Sequence, residues 1–235
     1  MIPFAARGTV PLFPFVVYAI VALNILVFVQ ELNAPHPDAF INSFALIPYD
    51  VTQCVQLESP APPTLFTLVT SQFLHGGFLH IFFNMLFLIV FGPKIEYLCG
   101  HVRFAIFYLL CGVMGSLAQI SLAPASHVPS IGASGAIAGV LGAYLIRFPA
   151  SSIRTVVPIG CFPLLLRLPA ALVIGLWAIV QFVHGIGTIT TNVASEQSGG
   201  VAYFAHIGGF LTGVLTIGLF AIRRTPAGGR YRASY

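Results

Sequence analysis

Residues 130–148 read SIGASGAIAGVLGAYLIRF, and two features of this stretch govern the reading of the whole chain. It is apolar enough to enter a bilayer, yet its helical part, 134–148, is shorter than the about 20 residues a helix needs to cross one. It also opens on a serine among glycines and alanines, where leucine would insert more readily. Small residues on a transmembrane helix let a second backbone approach closely. The stretch therefore reads as a short helix with a hydroxyl, Ser134, at its outer end and a partner helix against its face.

Five further apolar runs, at roughly 13–30, 72–92, 104–122, 168–186 and 203–222, each come near the length of a bilayer-spanning helix. The chain is 57% hydrophobic and 7% charged, far from the about 25% charged residues of a soluble domain. The expected fold is an all-α polytopic membrane protein, a six-transmembrane-helix bundle. The first run is longer than a signal-peptide h-region and no A-x-A-like site follows it, so it reads as a retained helix. If six helices alternate through the membrane, Arg7, Lys94, Arg103, Arg147, Arg154, Arg167, Arg223, Arg224, Arg230 and Arg232 all fall on one side. The positive-inside rule makes that side, and both termini, cytoplasmic. The opposite loops carry Glu31, Asp38, Asp50, Glu58 and Glu196 and no cation.

No repeat or composition shift marks a second domain. Residues 1–235 read as one unit, with a helical core over about 13–222, an extracytoplasmic interfacial loop at 31–64 and a basic cytoplasmic tail at 223–235. In the loop, Phe40, Phe44 and Ile47 have a helical spacing suited to lying at the interface. The basic tail is explained by its stop-transfer position, and no nucleic-acid site is expected. Cys54, Cys99, Cys111 and Cys161 separate under this topology, and no C-x-x-C offers metal or redox chemistry. No metal or other cofactor is implied.

Strongly polar side chains in a bilayer are expensive, so each is a functional candidate. They are His75, His80 and Asn84 in the second span, Ser116 and Gln119 in the third, Ser134 in the fourth, Gln181 and His184 in the fifth and His206 in the sixth. His80 and Asn84 are four residues apart and share a helical face, as needed for two donors that hold an oxyanion. They equally suit interhelical hydrogen bonding. In the sixth span, His206, Gly209 and Gly213 form a stripe with almost no side chain beyond the histidine. Ser134, Ala138 and Gly142 form a matching stripe in the fourth. Facing each other, the stripes bring Ser134 and His206 together, and a serine becomes a nucleophile when a base at hydrogen-bond distance takes its proton. Gly132 and Gly135 allow unusual backbone where the free N–H groups of the first turn can also donate to an oxyanion.

GASG at 132–135, AHIGGFLTG at 205–213 and HGGFLHIFFN at 75–84 resemble, in order, the motifs of the rhomboid intramembrane serine proteases. The resemblance implies cleavage of single-span membrane proteins near the extracytoplasmic face, with Ser134 as nucleophile and His206 as general base. It implies an oxyanion hole from His80, Asn84 and the Ser134 amide. His75 is expected to support the outer loops, Glu96 and Gly100 to be structural, and FALIPYD at 44–50 to belong to the interfacial loop. Some members of that family carry an aromatic residue one turn after the nucleophile, stacked on the histidine; this sequence has Ala138. No carboxylate lies in a helix near His206, so a dyad rather than a triad is expected. The simple six-helix core suggests a bacterial plasma membrane.

Other classes fit less well. A zinc site from His75, His80, His184 and His206 lacks an H-E-x-x-H pattern and an acid within reach. A transporter lacks visible symmetry between its halves. A helix-binding pseudoprotease of the same fold would typically have lost the serine or the histidine, and this chain keeps both.

Overall fold

The computed structural model describes residues 1–6, 10–55, 62–159, 162–190 and 202–222. Arg7, Glu58, Cys161, Glu196 and the basic tail 223–235 lie outside the described residues. Five helices are long and apolar enough to cross a bilayer: α1 (Phe15–Asn33), α5 (Phe78–Cys99), α6 (His101–Leu122), α8 (Ala170–Thr190) and α9 (Tyr203–Phe220). Between α1 and α5 come the short helices α2 (Pro37–Phe44), α3 (Pro48–Thr52) and α4 (Thr67–Thr70). The remaining helix, α7 (Ser134–Arg147), has 14 residues. At 1.5 Å per residue it rises about 21 Å, less than the about 30 Å of a bilayer's hydrocarbon core.

α7 stands at the centre, with Gly135 through Tyr144 all buried, and α9 packs along both α7 and α6. Glycines permit this. A Cβ at Gly209 would collide with the carbonyl of Gly135, one at Gly213 with the carbonyl of Gly139, and one at Gly142 with the carbonyl of Phe210. Backbone thus touches backbone, the arrangement that drives helix association where lipid removes the hydrophobic incentive. Gly142 of the expected stripe meets α9, and Gly135 and Gly139 lie on the same face of α7. Ala138 is fully buried. Gly135 and Gly139, each one residue along from Ser134 and Ala138, lie where their carbonyls come against Gly209 and Gly213.

A buried carboxylate fixes α1. Glu96, fully buried on α5, accepts hydrogen bonds from the backbone N–H groups of Val16 (2.9 Å) and Val17 (2.8 Å). These are first-turn donors that a helix cannot satisfy itself, and α1 has no side-chain cap of its own. A negative charge there also meets the positive end of the helix dipole. His101 closes the cluster with Nδ1 at 2.5 Å from the same carboxylate. Gly100, at φ +77°, makes the turn between α5 and α6 that brings His101 back to Glu96.

The all-α expectation needs correction. β2 (Ser152–Ile159) and β3 (Phe162–Pro169) form an antiparallel pair, and β1 (Ile2–Ala6) joins β2 on its other edge, also antiparallel. Ile153, Thr155, Val156 and Val157 make β2 rich in residues that fit a pleated surface, and Ile153 and Thr155, two apart, are both fully buried. Only Leu168 and Pro169 of β3 fall within the expected fifth run. The helix itself starts only at Ala170, after Pro169, since proline is tolerated at a helix start and not inside.

Glu96→Ala should orphan two buried donors at once. A loss of about 2 kcal/mol or more is expected in thermal melts of the detergent-purified protein, with Glu96→Gln, which keeps one acceptor, losing less.

Candidate active site

Ser134 is reached through the loop 123–133, and the segment between α1 and α5 holds that loop in place. Leu46 and Ser130 exchange both backbone hydrogen bonds, Leu46 N–H to Ser130 O at 3.2 Å and Ser130 N–H to Leu46 O at 2.7 Å. Tyr49 N–H donates to Ser126 O (3.0 Å), Thr52 Oγ1 to Pro124 O (3.0 Å) and Gly132 N–H to Ser71 O (2.8 Å). Here the expected helical spacing through Ile47 fails. α2 ends at Phe44, whose ring packs on Phe40 at 5.0 Å, and Ile47 is extended at φ −108°, ψ 111°. The residue before a proline is pushed out of the helical region, and Pro48 follows. The extended turn frees Leu46 to pair with the loop.

Gly132 has φ +119°, a conformation that side chains rarely adopt, and a Cβ there would lie 2.7 Å from His80 Nε2. Gly135 sits inside α7 without positive φ, and its role is the close approach to α9. From this start the Ser134 hydroxyl lies within hydrogen-bond distance, 2.7 Å, of His206 Nε2. Ser134 begins the helix with no side-chain cap over it, so its first-turn N–H groups lack helical acceptors.

α5 supplies the opposing wall. His80 Nδ1 accepts the N–H of Gly76 at 3.3 Å, so the ring proton sits on Nε2, which faces Gly132 as a donor. His80, Asn84, Ser134 and His206 all line one cavity of about 790 Å³. Its walls are otherwise largely apolar, including Leu79, Phe83, Phe87, Ile137 and Leu141, and Asp38 of α2 is the acidic residue among them. His75 is outside this lining. Its backbone N–H donates to the Glu31 carboxylate of α1 (3.1 Å), and its ring meets that of His80 edge-on at 5.0 Å. Behind Ser134 a small cavity of about 20 Å³ is lined in part by Ser71, Gln72 and Ser116, a volume that suits one water.

Two side chains of α8 lie beside the serine–histidine pair. His206 Nδ1 lies 2.7 Å from Gln181 Oε1 on α8, and the Trp177 ring lies 6.0 Å from the His206 ring at an interplanar angle of 40°. Ala138 places no ring there; α8 does. Gln181 was legible as a polar residue in a membrane run, but its partner was not. Trp177, the chain's one tryptophan, lies one helical turn from Gln181, and that spacing was the available signal. His184 stays apart from this group, stacked on Tyr203 at 5.3 Å. Gln119 is buried on α6 and outside the lining of the large cavity.

The family model for the Rhomboid domain matches residues 62–223, a span that contains every residue of this cavity except those of α2. Among curated proteins, the chain is 30% identical to RHOMBOID-like protein 4 of Arabidopsis thaliana over 86% of its own length and 52% of that protein's. It is 35% identical to rhomboid protease GluP of Bacillus subtilis over 56% of this chain and 24% of that one. It is 36% identical to inactive rhomboid protein 1 of Drosophila melanogaster over 36% of this chain and 6% of that one. The chain thus spans about half the length of the plant relative and less of the others. Plant, bacterial and insect relatives together give no support to the expected bacterial source.

Gly132→Ala combines a disfavoured φ with a contact to His80. Thermal melting should register a loss of about 1–3 kcal/mol, whereas Gly218→Ala, where an added Cβ meets nothing within 4 Å, should melt no lower than the unmodified protein.

Proposed function

The chain belongs to the rhomboid family, a multi-pass integral membrane protein, and from that premise we propose that it is an intramembrane serine endopeptidase. The observation that carries the reading is the 2.7 Å hydrogen bond from Ser134 Oγ to His206 Nε2 at the wall of a cavity shared with His80 and Asn84. In this reading the protein acts as one membrane unit with six spans, α7 being the fourth and the shortest. Lys94, Arg103, Arg147, Arg154 and Arg167 and both termini face the cytoplasm, and Ser134 lies toward the opposite face. The substrates are single-span membrane proteins cut near that face.

The chemistry is acyl transfer. Ser134 Oγ attacks the carbonyl carbon of a peptide bond in the cavity as its proton passes to His206 Nε2. The new oxyanion receives N–H donors from His80 Nε2, the Asn84 amide and the Ser134 backbone, groups fixed in an apolar setting where such dipoles act strongly. His206 returns the proton to the leaving nitrogen, the C–N bond breaks, and an acyl ester remains on Ser134. Water, deprotonated by the same Nε2, then hydrolyses the ester. A protonated His206 cannot accept the serine proton, so the rate falls toward low pH.

Detergent-purified protein should be labelled at Ser134 by a fluorophosphonate probe and should cleave a model single-span substrate. Ser134→Ala should lose labelling entirely and cleavage by about 10³-fold or more. A wild type that melts cooperatively yet is inert toward both points instead to a helix-binding protein of the same fold.

A further inference from the structure

We propose that Gln181 and Trp177 of α8 are positioning residues for His206, the first setting which ring nitrogen carries the proton and the second holding the plane of the ring. The proposal rests on the protease reading above. It concerns residues from a helix that contributes neither nucleophile nor base.

A neutral imidazole has two tautomers, and only one of them serves here. To take the Ser134 proton, Nε2 must be bare, which puts the ring proton on Nδ1. The group bonded to the second nitrogen decides between the two forms. Gln181 presents its amide oxygen to Nδ1 at 2.7 Å, an acceptor that stabilises the N–H form at that position. The amide could turn its NH₂ to the ring only by reversing the tautomer, and Nε2 would then donate to a serine hydroxyl that has no reason to ionise. In a serine protease triad, the wrong tautomer alone costs about 10⁴-fold in kcat.

The bonds to Gln181 and Ser134 hold the two ring nitrogens but leave the ring plane free to tilt about the line between them. Trp177 limits that motion, lying 6.0 Å from the His206 ring and 6.2 Å from the ring of Phe210, one turn further along α9. Trp177 and Gln181 are themselves one turn apart on α8, so a single face of that helix touches His206 twice. The opposite face, with Leu176, Ile179, Val180 and Val183, is exposed. Ala138 on α7 has only a methyl group at the position where other members of the family use a ring.

Gln181 differs from a carboxylate in one respect that can be tested. Its dipole orients the imidazole but adds no charge to stabilise the imidazolium formed when Ser134 gives up its proton. A carboxylate in its place favours the protonated ring, so His206 becomes protonated at higher pH and activity is lost earlier on acidification. The other groups that face this ring are His80 from α5, the Ser134 hydroxyl from α7 and, at the cavity wall, Asp38 from α2. α6 meets α9 through Gly115 and Ala118, against Ala205 and Gly208, and brings no charge at that contact.

The experiment measures kcat, KM and the pH profile of cleavage of a single-span substrate by the full chain, for wild type, Gln181→Leu, Gln181→Glu and Trp177→Leu, with melting of each. Gln181→Leu should lower kcat about 100-fold with KM within about twofold and melting unchanged. Gln181→Glu should recover most of kcat and move the acid limb up by about one pH unit. Trp177→Leu should lower kcat without moving that limb. Should Gln181→Leu cleave like an active wild type, or lose activity only in step with melting while Gln181→Glu leaves the limb in place, Gln181 is interhelical glue and the proposal falls while the protease reading stands. An inert wild type sinks the protease reading, and this proposal with it.

Discussion

The rest of the structure depends on how closely α7 and α9 approach. Their glycines place main chain directly against main chain, so that carbonyl oxygens of Gly135 and Gly139 occupy the space where Cβ atoms of Gly209 and Gly213 would stand. In lipid such contact is held by dispersion and weak Cα–H···O bonds summed along the seam. A seam of this kind has few adjustable parts. With no side chains between the helices to change rotamer, the separation of Ser134 and His206 is set by backbone, and the hydroxyl falls at hydrogen-bond distance because the two helices can settle no further apart without losing the seam. α6 repeats the device, with Gly208 of α9 against Ala118 and Gly115 against the carbonyl of Ala205.

A seam fixes distance but leaves the neighbouring helices to be placed by other means, and here buried carboxylates do it. α1 exposes much of its apolar surface, including Phe15, Leu26 and Leu32, and is held at both ends. Glu96 of α5 receives its first-turn amides. Near the other end its own Glu31 accepts the backbone N–H of His75, just before α5 begins. These contacts tie the start of α5, and so His80, to the frame. The loop before Ser134 is tied in turn to the segment around Leu46 by paired backbone bonds.

The candidate site is accordingly divided among four helices. α7 brings the hydroxyl and its free amides, α9 the imidazole, α5 two side-chain donors, and α8 an amide and an indole that bear on the imidazole. The groups sit where different constraints put them: a glycine seam, a positive-φ Gly132 next to His80, and one apolar helix with Trp177 and Gln181 on one face. The division explains how the absence of an aromatic ring at position 138 is compatible with a supported histidine. A ring approaching from α8 reaches the same imidazole from another side.

Membrane character and the places of the helical runs were settled by composition and length, because lipid tolerates few ways of satisfying backbone and little charge. Ser134, His206, His80 and Asn84 were legible for the same reason, as costly polar groups in apolar runs, and the small residues beside two of them pointed to a close helix pair. The part of Gly135 and Gly139 in that pair was not, since neighbouring alanines and glycines look alike until an opposing backbone comes against them. The sheet was hidden because β3 is as apolar as a span and β1 pairs with β2 from the far end of the chain. The partners of Gln181 and Trp177 were hidden likewise: a sequence shows which residues share a face of one helix, but which face of another helix they meet is decided only when the bundle packs.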